Sequence, residues 1–357
     1  MTVYKHAFVY VSQAEDGDIG IWRLDRSNGR LAPVGRAVAG KAVAPLAVSL
    51  DRRRLYAVVR SQPFSVITFA IDQASGGLTQ AGSAPLPDSM PYATVDVGGR
   101  YLLTASYGGN KIAVSRIGAS GAVEGEACQV LPSGRNAHAI ITDRSNRFAY
   151  VPTLGSDQIM QLTFDGASGS LAPNTPPHAD TRSGDGPRHL VTSPDNRFLY
   201  MLCELSGDVL QFAIDQAKGT LSPVARVASV PPEAQLIPGK PRGGTLDPAA
   251  ARMIWCADIA ITPDGRHLYT TERTQSRISI MRIAADTGTP RLVTSCPTGR
   301  QPRGICIDSR GDVLIASGEK TDYLTVFQID AATGAIVESG RFACGKGANW
   351  VAIVDPA

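Results

Sequence analysis

The sequence predicts an all-β fold: a closed seven-bladed β-propeller of four-stranded antiparallel blades. Three observations carry this: a β-hairpin unit that recurs six times, a seventh unit split between the chain ends, and no stretch of sustained helical period. The residues just before the second strand of each unit, Arg53, Arg100, Arg147, Arg197, Arg266 and Gly311, are spaced by 47, 47, 50, 69 and 45 positions. Each precedes a β-prone run: RLYAVV, YLLTAS, FAYVPT, FLYMLC, HLYTTE and DVLIAS. A turn (LDRR, VGGR, DRSN, SPDN, TPDG or DSRG) separates that run from the strand before it, which makes a hairpin. Third strands follow (VITFAID, IAVSRIG, IMQLTFD, VLQFAID, ISIMRIA, LTVFQID), then a turn and a weaker fourth strand marked by endings such as Gly219-Thr220-Leu221.

At the N-terminus, FVYVS from Phe8, IGIWRLD from Ile19 and Gly29-Arg30-Leu31 read as strands two to four of a unit that lacks its first strand. NWVAIV, from Asn349 to Val354, supplies it, so one blade is expected to be closed by both termini. Closure removes the exposed edges the split unit would otherwise present, whereas a linear array or a pair of sandwiches would leave that unit without a purpose. The whole chain, 1–357, thus reads as a single propeller domain. The 69-residue step contains an insertion at about 229–253, rich in Pro and Gly, that falls between two first strands and so belongs to a connection. A rim or lid over a site and a plain surface loop both fit that position.

Hydrophobic residues make up 43% and charged residues 19% of the chain, as in ordinary globular proteins, and Lys plus Arg exceed Asp plus Glu by only 35 to 32. No run of like charge occurs, so neither nucleic acid nor a membrane surface is expected as a partner. The six cysteines form no CxxC pair and suggest free thiols rather than a structural metal site. The apolar run Ala7 to Val11 is too short for a signal-peptide core or a membrane span, and a cytoplasmic monomer or weak homodimer is expected.

In an antiparallel hairpin the start of the first strand lies beside the end of the second, so hairpin geometry sorts side chains to one end of the ring. First-strand starts contribute His138, Arg188, His189, Asp258 and Arg303; second-strand ends contribute Arg60, Tyr107, Glu204, Glu272 and Arg273. The densest unit is GDGPRHLVTSPDNRFLYMLCELSGD, which sets Arg188 and His189 beside Glu204. A lone histidine at a strand end is more often a structural hydrogen-bonder, and arginines and carboxylates around a ring can simply pair. Convergence in one channel mouth is what points to chemistry. His6, His178 and His267 fall outside this set and read as surface residues. No GxSxG, P-loop or dinucleotide fingerprint is present, so no acyl-serine chemistry and no cofactor are expected; the guanidiniums would oppose a metal cation.

The segments GDGPRHLVTSPDNRFLY, CELSGDV, WCADIAITPDGRHLY with TERTQSRI, RQPRGICID and GKGANWVAI together resemble the propeller-type 6-phosphogluconolactonases and the related 3-carboxy-cis,cis-muconate lactonising enzymes. The resemblance spans essentially the whole chain. It implies a seven-bladed propeller without a required metal, acting on a small anionic lactone. It also implies catalytic roles for His138, Glu204 and Arg273, with Arg188 as an anion binder. The stretch GRNAHA around His138 and the long insertion before Trp255 depart from the family pattern. The leading expectation is hydrolysis of an anionic sugar lactone such as 6-phosphogluconolactone: His138 or Glu204 activates water, Arg273 faces the oxyanion, Arg188 with Arg303 holds the anionic arm, and His189, Asp258 and Glu272 complete the binding site. Alternatives are a cycloisomerase, in which the same acid protonates carbon, a hydrolase of another carboxylated lactone, and a propeller that only binds a protein partner. The last should display aromatic anchors, yet aromatics are only 6% of the chain.

Overall fold

The computed structural model describes residues 4–241 and 247–357. It contains seven four-stranded antiparallel sheets arranged as the blades of a propeller, with the first strand of each sheet facing the central channel. Strand Ala348–Val354 pairs antiparallel with His6–Gln13, placing Val354 opposite Phe8 and Trp350 opposite Ser12, so one blade is built from both chain ends. All six expected second strands form: Arg54–Val59, Tyr101–Ser106, Phe148–Thr153, Phe198–Cys203, His267–Glu272 and Val313–Gly318. Their alternating side chains pack into the clefts between neighbouring blades, which is where the apolar core lies.

A repeated hydrogen bond joins successive blades. The hydroxyls of Tyr10, Tyr56, Tyr101, Tyr150, Tyr200 and Tyr269 donate, over 2.7–3.1 Å, to backbone carbonyls of Gly76, Gly121, Ala167, Gly219, Gly288 and Gly334 in the next blade. Gly219 shows why this turn favours glycine: its φ is +70°, and a Cβ there would sit 2.1 Å from the Phe148 ring. At the seventh junction the strand position of Tyr56, Tyr150, Tyr200 and Tyr269 is Ile315, which cannot donate. There the buried Arg26 donates from Nε to Asp308 Oδ2 at 2.6 Å and also pairs with Asp355 near the C-terminus, joining the last blade to the split one.

The turn Ser193-Pro194-Asp195-Asn196 forms as expected, with Asn196 in the left-handed region at φ +60° and its amide donating to Asp143 of the preceding blade at 2.8 Å. Two expectations need correction. His267 is buried, not a surface residue, because the turn at Gly334 of the next blade closes over its ring. The first strand of the His138 blade is only Ile141–Thr142; after a turn with Asn136 at φ +58° and a single bridge from Ala137 to Thr153, His138 lies on irregular backbone. Of the expected insertion, residues 242–246 lie outside the described residues. The described part is fastened to the mouth of the channel: Gly239 N donates to Leu205 O, Gln275 donates to Ala234 O at 2.7 Å, and Thr274 donates to Met253 O at 2.5 Å.

Removing residues 348–357 deletes an entire inner strand and Asp355, and thermal unfolding should show collapse or a sharply lowered melting temperature; an unchanged melt would contradict ring closure. Arg26→Met, which strands a buried Asp308, should cost about 3–5 kcal/mol in chemical denaturation.

Candidate active site

The mouth of the channel holds a cavity of about 320 Å³ lined by Arg60, Pro91, Tyr107, His138, Glu204, Arg273, Arg303 and Glu319, a volume suited to a small metabolite. Five of these residues, Arg60, Tyr107, Glu204, Arg273 and Glu319, directly follow the second strand of their blade. The hairpin geometry therefore aims that one position of these five blades at the axis. Glu319 obeys the same rule as Glu204 and was legible from it, since each follows a six-residue second strand. Larger cavities of 370 and 560 Å³ on the flanks contain no histidine, and Arg226 in the first is already paired with Asp185 and Asp208.

Arg188, Asp258 and Arg303 reach their places through irregularities in the inner strands. The ladder of Pro187–Thr192 shifts register between Pro187 and His189, that of Cys256–Ile261 between Cys256 and Ile259, and that of Pro302–Ile307 between Pro302 and Gly304. The residues skipped are Arg188, Ala257 with Asp258, and Arg303. A bulge turns adjacent side chains to different sides and is common beside active sites. Arg188 thereby reaches Glu204, while its neighbour His189 turns to Asp258.

Glu204 is the electrostatic hub. Its Oε2 lies 2.7 Å from Arg188 Nε and 3.0 Å from Arg273 Nη2, and its Oε1 accepts from Trp255 Nε1 at 3.2 Å. Burial pushes its pKa up, but Arg273, Arg188 and Arg303 outweigh that and hold it below the usual carboxylate range, so Glu204 is ionised. Arg273 also donates to the carbonyls of Trp255 and Cys256 at 3.1 and 2.8 Å, and its guanidinium stacks 3.9 Å from the centre of the Trp255 ring. Arg303 pairs with Glu319 at 3.1 Å, and Arg60 donates to Ser89 at 3.1 Å. Burial, then the nearby Arg303, lowers Arg60 to about 10, still charged at neutral pH.

Arg188 does not line the cavity: 1% exposed, it sits behind Glu204 and also donates to Ala257 O, so it acts as the carboxylate's counter-charge. Glu272 is likewise not brought to the cavity. Its carboxylate accepts the backbone N–H groups of Trp255, Thr274 and Gln275 at 3.0, 3.0 and 2.7 Å, which fixes the loop carrying Arg273. His189 and Asp258 lie one layer deeper, joined at 2.8 Å. His138 makes no side-chain hydrogen bond to any described residue; its Nδ1 is buried, which leaves Nε2 as the nitrogen the cavity reaches. Burial first, then Arg188, His189, Arg303 and Arg273, press the His138 pKa well below its ordinary value, so the imidazole is neutral. Burial and Arg188 push His189 down to about 4, against the opposing pull of Asp258.

The molecule is therefore a seven-bladed propeller whose mouth joins a neutral imidazole to a guanidinium-rich wall, the layout of a site for a small anionic substrate. The sequence profile of the family described as Lactonase, 7-bladed beta-propeller, matches residues 8–353, and the chain belongs to that family. A 6-phosphogluconolactonase of Serratia proteamaculans is 37% identical over 97% of this chain and 98% of its own length. The one from Cronobacter sakazakii is 35% identical over 97% of each. The periplasmic gluconolactonase of Pseudomonas aeruginosa superposes with a TM-score of 0.84 at 22% identity over 99% of each chain, which bears on the fold alone.

Burying neutral histidines ties stability to pH. The unfolded chain takes up a proton near pH 6.5 that folded His189 refuses until about pH 4, so stability is complete above 6.5 and is lost as pH falls toward 4. His189 alone should cost about 2 kcal/mol between pH 7 and pH 5, with His138 adding in the same direction. Denaturant melts at the two pH values should show this loss, and His189→Gln should flatten it.

Proposed function

We propose that this chain is a metal-independent lactonase that hydrolyses 6-phosphogluconolactone to 6-phosphogluconate. The observation that carries the reading is one cavity in which neutral His138 faces Arg60, Arg273 and Arg303. Family membership and the names of relatives more than 30% identical supply the reaction and the substrate. The charge balance agrees: Arg60, Arg273, Arg303 and the deeper Arg188 face Glu204 and Glu319, a surplus of two positive charges for a phosphate dianion. Among the described residues no cluster of His, Cys, Asp or Glu is arranged to hold a metal, and the guanidiniums would repel one.

In this mechanism Arg60 and Arg303 hold the phosphate and Arg273 faces the lactone carbonyl. His138 Nε2 takes a proton from water as the water oxygen bonds to the carbonyl carbon, and the tetrahedral oxyanion forms against Arg273. Collapse breaks the ring C–O bond, and the imidazolium returns the proton to the departing ring oxygen. The bound phosphate offsets the arginine charges that depress His138, raising its basicity when substrate is present. Glu204, ionised and engaged on both oxygens, serves by holding Arg273 rather than as the base. One further point supports a reducing, cytoplasmic setting for such an enzyme: all six cysteines are free thiols. No helix among the described residues is long and apolar enough to cross a membrane.

His138→Ala should lower kcat about 100- to 10,000-fold with little change in KM or melting temperature. Wild-type turnover in that variant would defeat the reading. Arg303→Met and Arg60→Met should each raise KM for the phosphorylated lactone about 10- to 100-fold, the weight of one charge-assisted contact, and leave unphosphorylated gluconolactone unaffected. Equal effects on both substrates would move the phosphate elsewhere. Prolonged exposure to a chelator should leave activity intact.

A further inference from the structure

Behind His138 the structure holds a second imidazole whose arrangement is not needed to bind substrate. The rings of His138 and His189 are 5.0 Å apart, edge to face at 62°. His138 Nδ1 and His189 Nε2 are both buried without a hydrogen-bond partner among the described residues. On the far side of His189, Nδ1 is 2.8 Å from Asp258 Oδ1. Asp258 is itself immobilised: its carboxylate accepts Ile259 N at 3.0 Å and Ile305 N of the next blade at 2.9 Å, and its own N–H donates to Thr271 Oγ1 at 2.9 Å. Tyr92 and Trp350 pack against the His189 ring at 5.2 and 5.9 Å and keep this layer away from bulk solvent.

These contacts set the protonation pattern. Both Asp258 oxygens already accept a backbone N–H, so the carboxylate meets His189 as an acceptor; His189 carries its hydrogen on Nδ1 and presents a bare, accepting Nε2. That acceptor is matched by one unsatisfied nitrogen nearby, His138 Nδ1, which can donate. Leaving two buried nitrogens unpaired is unfavourable, so the pair is best satisfied by each other, directly or through one bridging water.

We propose that Asp258, His189 and His138 form a buried proton relay, a reading that rests on His138 as the base in lactone opening. When His138 Nε2 takes the proton of the attacking water, its Nδ1 proton passes to His189 Nε2. The positive charge moves from a ring facing Arg188, Arg273 and Arg303 with no hydrogen-bonded carboxylate to one held by Asp258. The groups around His189 are Arg188 and Arg303, which oppose that charge, Asp258, which favours it, and His138 and Tyr92, which are neutral. As the ring C–O bond breaks and its electron pair goes to the ring oxygen, the protons step back: from His189 Nε2 to His138 Nδ1, and from His138 Nε2 to that oxygen. No proton is gained or lost over the cycle. His189 and Asp258 are positioning residues and touch no substrate.

Asparagine at position 189 separates relay from scaffold, because its amide can replace Nδ1–H toward Asp258 but places nothing at Nε2. His189→Asn should lower kcat at least ten-fold, within the range of acid–base contributions, with KM changed less than about two-fold and the melting temperature preserved. Asp258→Asn should lower kcat similarly. Nitrogen NMR of histidine-labelled wild-type protein at pH 7 should show His189 as the Nδ1–H tautomer. Wild-type kcat in His189→Asn beside an inactive His138→Ala would overturn the relay and leave the lactonase reading standing. An active His138→Ala would sink both. A protonated Nε2 on His189 would overturn the relay even if the variants misfold.

Discussion

The ladder between His6–Gln13 and Ala348–Val354 is the constraint on which the remaining structure depends. The cavity wall draws its residues from six blades, with only Pro91 and Tyr107, and Arg303 and Glu319, sharing one, and no two neighbouring side chains in sequence line it together. Their mutual distances are therefore set by the angles between blades, and those angles are fixed only when the ring is complete. Six tyrosine bonds repeat the same junction, and the buried Arg26 with Asp308 and Asp355 replaces the tyrosine where the chain ends meet. A buried ion pair is a weak source of net stability but costs heavily when one partner is missing, which suits a junction that must hold the two chain ends in one register.

The rigid ring lets the mouth carry groups that would otherwise be unfavourable there. Arg188 and Glu204 are almost wholly enclosed, and two imidazoles sit neutral beside several guanidiniums. Glu204 offsets much of this cost by facing Arg188, Arg273 and the Trp255 indole at once. The result is a positive field with an uncharged imidazole inside it, two properties that a flexible site would lose by letting the histidines turn to water. The insertion contributes by fastening to Leu205 and Gln275, the residues just beyond Glu204 and Arg273.

Much of the site was legible because a hairpin has a fixed relation between its two ends. Arg60, Tyr107, His138, Glu204, Arg273 and Arg303 were assigned to one mouth, and all six line the cavity. The errors come from bulges and from contacts that a strand pattern does not show. Arg188 and Glu272 share the right end of their strands, but a bulge turns Arg188 behind Glu204, and three backbone N–H groups claim Glu272. His267 looked exposed because the neighbouring turn that covers it is 67 positions away in sequence, at Gly334.

By itself the sequence determined the number of blades, the split blade and the end of the ring that bears charge. Strand periodicity, turn chemistry and hairpin pairing are properties of short segments and can be read along the chain. Tertiary structure alone decided which charged groups meet the cavity, which pair behind it, and that His138 and His189 stand face to edge over Asp258. Those outcomes depend on bulges that turn single side chains and on contacts between blades far apart in sequence, where desolvation and neighbouring charge, not local propensity, set orientation and protonation.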